Sequence, residues 1–210
     1  PRHGEGSLGG TARGLGFMNS MLIKYRQYDK HEGVRIMIPR SVVIATEYFD
    51  EFIRMNGLQY VVSQEFSDEE ILSEFVSSYV PPRLQQELKA YIRTVRTPLA
   101  VRSSSKLEDS HYQPFAGIYS TYMIPFTKNE DQMLRLLLRA VKSVYASVYF
   151  AASRAYIQTS QNLISEEKMA VIIQEVCGTE QDGLYFPTCS GVARSINYYP
   201  IGDERPEDGG

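Results

Sequence analysis

Apolar positions along the chain follow two periods, and the switches between them lay out the elements. From Leu15 to about Tyr25 they recur at helical spacing, behind a glycine-rich opening from Gly4 to Gly16. Val34 to Ala45 is rich in strand formers but broken by Pro39, which demands an edge, a bulge or two short strands. Thr46 reads as the N-cap of a helix with the face Tyr48, Phe49, Phe52 and Ile53, stopped at Asn56-Gly57. Ser67-Asp68-Glu69-Glu70 has the capping-box pattern, followed by the stripe Ile71, Leu72, Phe75, Val76 and Tyr79 and the stop Pro81-Pro82. Leu84, Leu88, Tyr91, Ile92 and Val95 mark the next helix. Leu99 to Met123 reads as strand, polar loop, glycine turn, strand. A helix capped by Asn129 or Thr127 carries Met133, Leu134, Leu137, Val141, Val144, Tyr145, Val148 and Tyr149, and is expected to run unbroken to about Thr159. Lys168 to Val176 is a strong strand, and Gly183–Phe186 and Gly191–Tyr199 read as two more. Helices and strands mix without regular alternation, which predicts an α+β fold with mixed sheets and packed helices.

Composition narrows the function classes. At 210 residues, 43% hydrophobic and 22% charged, the chain is ordinary globular material for one large domain or two lobes. A net charge of −3 supplies no basic field for nucleic acid or an anionic membrane. No apolar run approaches the ~20 residues a spanning helix needs. Cys177 and Cys189 form no CxxC pair and are too few for a disulfide framework, so a reducing cytoplasm is expected. His3, His31 and His111 are scattered, with no metal-binding signature. The chain starts without methionine and ends on a polar stretch from Asp203 to Gly210, as an excised piece of a larger protein would.

The candidate chemistry centres on Leu99 to Met123 (LAVRSSSKLEDSHYQPFAGIYSTYM). The apolar run Leu99-Ala100-Val101 delivers one cation, Arg102, to its expected end, beside hydroxyls and backbone N–H groups. That suits a bound phosphate chain. On residue types alone, a polar hairpin with an ion pair from Arg102 to Glu108 or Asp109 carries the greater weight. The opening GEGSLGGTARGLG, a glycine loop feeding a helix, has a phosphate-binding shape, or is a flexible terminus or tight turn.

The segments VRSS, EDS and FAGIYSTY resemble the ATP-binding domain of the phosphoenolpyruvate synthase and pyruvate phosphate dikinase family. So, in order, do GGTARGLG, the segment from Ile38-Pro39 through Val43 to Phe49, SVYASVYFAASRAY, the strand Met169–Val176 and the run from Gly191-Val192. The resemblance implies an ATP-grasp-like nucleotide-binding domain, with residues 1–210 as its front part and lobes at 1–125 and 126–210. It implies that Arg102 touches the ATP phosphates and is catalytic. Gly117 and Thr121 would fall in the loop that closes over them. Gln174 would meet adenine, with backbone groups of Glu175 and Val176 on its edge. Thr11 stands where the family has a lysine, so one phosphate clamp is missing; Ile118 and the run Ala193 to Pro200 also depart from the family pattern. ATP and magnesium are the implied cofactors, with metal ligands outside this chain. The implied partners are the phosphohistidine and phosphoenolpyruvate/pyruvate domains of the same protein. In the family, ATP phosphorylates a histidine on a separate domain and then pyruvate, so the 210-residue chain alone is expected to be inactive. A related phosphotransferase with another acceptor, or a degenerate nucleotide-binding module for regulation or assembly, stays open; oligomeric state is not readable.

Overall fold

The computed structural model describes residues 1–25, 32–62, 64–105, 119–159 and 167–209. They divide into two compact units, Pro1–Val176 and Cys177–Gly210. The first is built on a five-stranded sheet in the order β1-β2-β5-β3-β4, with β1 Arg2–His3, β2 Ser41–Ile44, β3 Leu99–Ser105, β4 Tyr122–Ile124 and β5 Met169–Glu175. β1 runs parallel to β2, and the other pairs are antiparallel. Such a mixed sheet with packed helices is the expected α+β architecture.

Strand periodicity sorts the sheet into two faces. Val42, Ile44, Leu99, Val101, Met169, Val171 and Ile173 point to one face and are all but fully buried. Against it lie α2 (Thr46–Met55) and α5 (Glu130–Ser147), with α3 (Asp68–Ser77) and α4 (Pro82–Ile92) packed on α5. The centre of this core is aromatic: Phe52 meets Phe75 at 5.7 Å and Tyr145 at 5.4 Å between ring centroids. The capping box forms as expected, Ser67 accepting from the Glu70 amide and Glu70 accepting from the Ser67 amide. Asn129 caps α5, its Oδ1 accepting from Gln132 N at 3.0 Å.

Several expectations are corrected. The residue before α2 is Ala45, while Thr46 enters the helix and turns its hydroxyl to Ser7 N. The long helix is two, α5 and α6 (Ala151–Thr159). The Ser147 hydroxyl donates to Val144 O and the Ser153 hydroxyl to Ser147 O, while Ala151 N–H donates to Asp68 Oδ1 at 2.7 Å. Side chains thus satisfy backbone groups at the break, and the apolar stripe continues across it because both helices face the same core. Ser103 to Ser105, read as loop, are buried strand residues.

The opening glycine stretch docks rather than hangs free. Thr46 N–H donates to Ser7 O, and Glu47 N–H to Glu5 O, before α1 (Gly9–Lys24) begins. Ser104 Oγ accepts from Ala12 N at 3.0 Å and donates to Leu8 O at 2.7 Å, fastening the first turn of α1 to β3. Gly9 permits that approach: its φ is +70°, and a Cβ would fall 1.8 Å from Ser104 O. In the second unit, β6 (Thr179–Gln181) and β7 (Leu184–Phe186) form a hairpin turning at Asp182-Gly183. The expected strand Gly191–Tyr199 is irregular: it has the alternating pattern but no pairing strand among the described residues, and an unpaired strand leaves its backbone groups unsatisfied.

Candidate functional site

The face of the sheet turned away from the helical core is partly open, and it collects the polar residues of interest. Register sets Gln174 beside both Ser41 and Ala100, and Ile172 beside both Val43 and Arg102. α1 covers the Ser104 end of this face, and Ile172 and Ala170 are fully buried there. Toward the other end Arg102 is exposed, and Met123 on β4 is 62% exposed. Arg102 stands in the middle of β3, not at its end, because the three serines continue the strand alongside β5. Among the described residues its guanidinium has no hydrogen-bond or ion-pair partner. Glu108 and Asp109, the carboxylates the sequence offers it, lie outside the described residues, as does Gly117.

Thr121 is exposed and sits one residue before β4. One step beyond the Val101–Tyr122 pair, it comes level with Arg102. Gln174 is half-buried, its Nε2 donating to Ser41 Oγ at 3.1 Å while the Ser41 hydroxyl donates to Pro39 O. Its Oε1 has no partner among the described residues. Thr11 lies half-buried in the first turn of α1, next to the Ala12 amide that rests on Ser104. Ser104 and Arg102 alternate onto the same face, about 7 Å apart along the strand. The structure therefore brings Arg102, Gln174, Thr121 and the start of α1 to one face.

Glu175 and Val176 are placed differently. The Glu175 side chain turns to the helical side, where Arg40 Nε lies 3.5 Å from its Oε1; burial, and after it the Glu175 charge, raises the Tyr91 phenol of α4. Glu175 N–H donates to Arg40 O and Val176 N–H to Pro98 O, both at 2.9 Å. Neither amide is left to donate to a base edge. The start of α1 is likewise partly occupied: Gly9 N donates to Ser7 Oγ and Ala12 N to Ser104 Oγ. The described residues of the open face include no carboxylate, so they do not fit a magnesium ion, which takes oxygen donors with at least one carboxylate. Sequence reasoning missed Ser104 and Ser41, the residues that position α1 and Gln174. The length of the Lys168–Val176 run was the available signal: a buried strand of that length needs an equally long neighbour, and only the serines could extend Leu99-Ala100-Val101.

What this face can do is hold an anion on an exposed cation, Arg102, beside the polar amide of Gln174. Comparison with known proteins says which family it serves. The pyruvate phosphate dikinase AMP/ATP-binding domain profile matches residues 5–209. An uncharacterized phosphotransferase of Bacillus subtilis, YvkC, is 31% identical over 157 residues, covering 71% of this chain and 17% of its own length. A phosphoenolpyruvate synthase of Aeropyrum pernix is 28% identical over 201 residues, 85% of this chain and 22% of its own. A probable phosphoenolpyruvate synthase of Staphylothermus marinus is 24% identical over 174 residues, 72% of this chain and 20% of its own. The chain thus spans about a fifth of the length of these curated relatives. With a match across nearly its whole length, the chain belongs to the pyruvate phosphate dikinase AMP/ATP-binding domain family.

Proposed function

We propose that this chain is the front of an ATP-grasp-like domain that holds ATP on the open sheet face. The larger protein would be a phosphoenolpyruvate synthase-like dikinase, which phosphorylates a histidine on a separate domain and then pyruvate. The observation that carries the reading is Arg102, a cation on this face with no partner among the described residues, in a chain of this family. ATP when bound supplies the phosphoryl group. Arg102 gives its oxygens a fixed positive charge, and such charge neutralisation with positioning is most of what phosphoryl-transfer catalysis asks of a protein. Gln174 Oε1 accepts from the exocyclic amine of adenine, while Ser41 holds the Gln174 amide in place. Thr121 stands by the phosphates, and Gly117, outside the described residues, keeps only the phosphate-loop role that the family resemblance implies. Thr11 offers a hydroxyl where a lysine would offer charge. The described residues of this face carry no carboxylate for magnesium, and the ion's carboxylates are assigned to another part of the protein. Cys177 and Cys189, both free and exposed, accord with a reducing cytoplasm.

Thr11 also favours a second reading, a module that binds nucleotide without transferring phosphate. Calorimetric titration of the full-length protein with ATP, with and without magnesium, separates the readings when paired with a label chase. Saturable ATP binding, with an acid-labile phosphohistidine discharged by pyruvate, is the expected result. Binding without label would assign a regulatory module, and label discharged only by another acceptor would assign a different phosphotransferase. Absence of ATP binding would refute the site.

A further inference from the structure

On the helical side of the sheet, the end of α4, the residues after β4 and the start of α5 enclose a cavity of about 310 Å³. That volume lies at the lower end of small-molecule sites. Ile92, Phe126 and Met133 supply its apolar wall. Its charged residues are Arg93, Arg96, Lys128 and Glu130, three cations to one carboxylate in a chain of net charge −3. The carboxylate is already answered, because Arg93 Nε lies 3.1 Å from Glu130 Oε2. Arg96 is fixed by one nitrogen: Nη1 donates to Arg93 O at 2.8 Å and to Val95 O at 2.6 Å. Its remaining N–H groups, and the Lys128 ammonium, have no partner among the described residues.

Two uncompensated cations beside an apolar wall set the chemistry of a complement. A bare inorganic anion would leave the wall wet, and a neutral apolar molecule would leave the cations unanswered. We propose that this cavity binds a small amphipathic anion, a phosphate monoester or carboxylate carrying an apolar group. The guanidinium of Arg96 and the Lys128 ammonium take the anion, and Ile92, Phe126 and Met133 take the apolar part. None of these residues is on the Arg102 face, so the site is independent of the nucleotide reading.

The test is calorimetry with phenyl phosphate, benzoate, inorganic phosphate and benzyl alcohol, together with methionine-methyl NMR of Met133. Phenyl phosphate or benzoate should bind saturably and shift the Met133 methyl, and whichever binds tighter names the head group. Lys128→Gln, which breaks no contact among the described residues, should weaken binding by about fivefold to tenfold. Arg96→Gln should weaken it at least as much, with a thermal melt recorded alongside because Arg96 also holds the end of α4. Arg102→Gln should leave it unchanged. Inorganic phosphate binding as tightly as phenyl phosphate would overturn the amphipathic class. Binding lost with Arg102→Gln but kept with Lys128→Gln would place the anion on the open sheet face and overturn the cavity, as would no saturable binding of either aryl anion.

Discussion

Gly9→Ala puts the packing of α1 on the sheet to the test. The new Cβ would lie 1.8 Å from Ser104 O and 2.3 Å from its carbonyl carbon, at a φ of +70°. Two responses are open. If α1 stays in place, the left-handed alanine costs about 1–2 kcal/mol and the backbone shift about 1–3 kcal/mol more. If the first turn lifts off, the two Ser104 bonds are lost, at about 0.5–1.5 kcal/mol each, with about 0.8 kcal/mol for the Ala12 methyl. Lifting is the cheaper route, because α1 buries only Gly9, Gly10 and Ala12. The expected outcome is a local detachment, with faster amide exchange through α1 and a melt lowered by roughly 5–10 °C for a unit of this size. Gly57→Ala is the control: its φ is +64° with nothing within 4 Å, so only the backbone term applies. If Gly9→Ala melts like Gly57→Ala and keeps α1 protected, the close approach at Ser104 is not what fixes the helix.

Stability should fall in alkali. Burial pushes the Tyr48 phenol up to about 12, with Glu87 adding to it, and burial followed by the Glu175 charge does the same to Tyr91. Burial raises Tyr145 and Tyr149 as well. The folded state then keeps protons that the unfolded state loses above the ordinary value of 10.0, so the stability present below that pH drains as pH climbs toward the raised values, by about 1.4 kcal/mol per pH unit for each tyrosine. Lys142, lowered by burial, works the other way, but it is one group against several raised tyrosines. Urea titrations between about pH 9 and about pH 11 check this, and a flat profile would contradict it. Ser67→Ala should cost about 1 kcal/mol in the same titrations at neutral pH by removing half of the capping box, and a loss near zero would mean that the box is not holding α3. Thr11→Lys should tighten ATP binding at low salt, as measured by calorimetry, by adding a cation at the first turn of α1; no change would place that turn away from the phosphates.

Much of the helical layer was legible because local chemistry decides it. Ser67 with Glu70 and Asn56-Gly57 after α2 act within a few residues of themselves, and the structure keeps both. The readings that failed depended on distant partners. The break between α5 and α6 is fixed by Asp68, 83 residues away from Ala151. Whether Gly191–Tyr199 becomes a strand depends on a pairing partner, which alternation alone does not supply. At the site, the residue types at Arg102 and Gln174 were readable, and family resemblance selected them. Their shared face was not, because it follows from the register of β5 between β2 and β3. The same register, with the sheet ends at Arg40 and Pro98, occupies the Glu175 and Val176 amides.

The most direct measurement is the ATP affinity of Arg102→Gln, set against wild type and against Arg40→Gln. Arg40 is also exposed, but it pairs with Glu175, whose side chain is on the helical side of the sheet. An arginine-to-phosphate contact is worth roughly 1.5–3 kcal/mol, so Arg102→Gln should weaken ATP binding by at least about tenfold with its melt unchanged. Arg40→Gln should bind ATP as wild type does. Wild-type affinity in Arg102→Gln, or an equal loss in both variants, would contradict the assignment of the open face to the nucleotide.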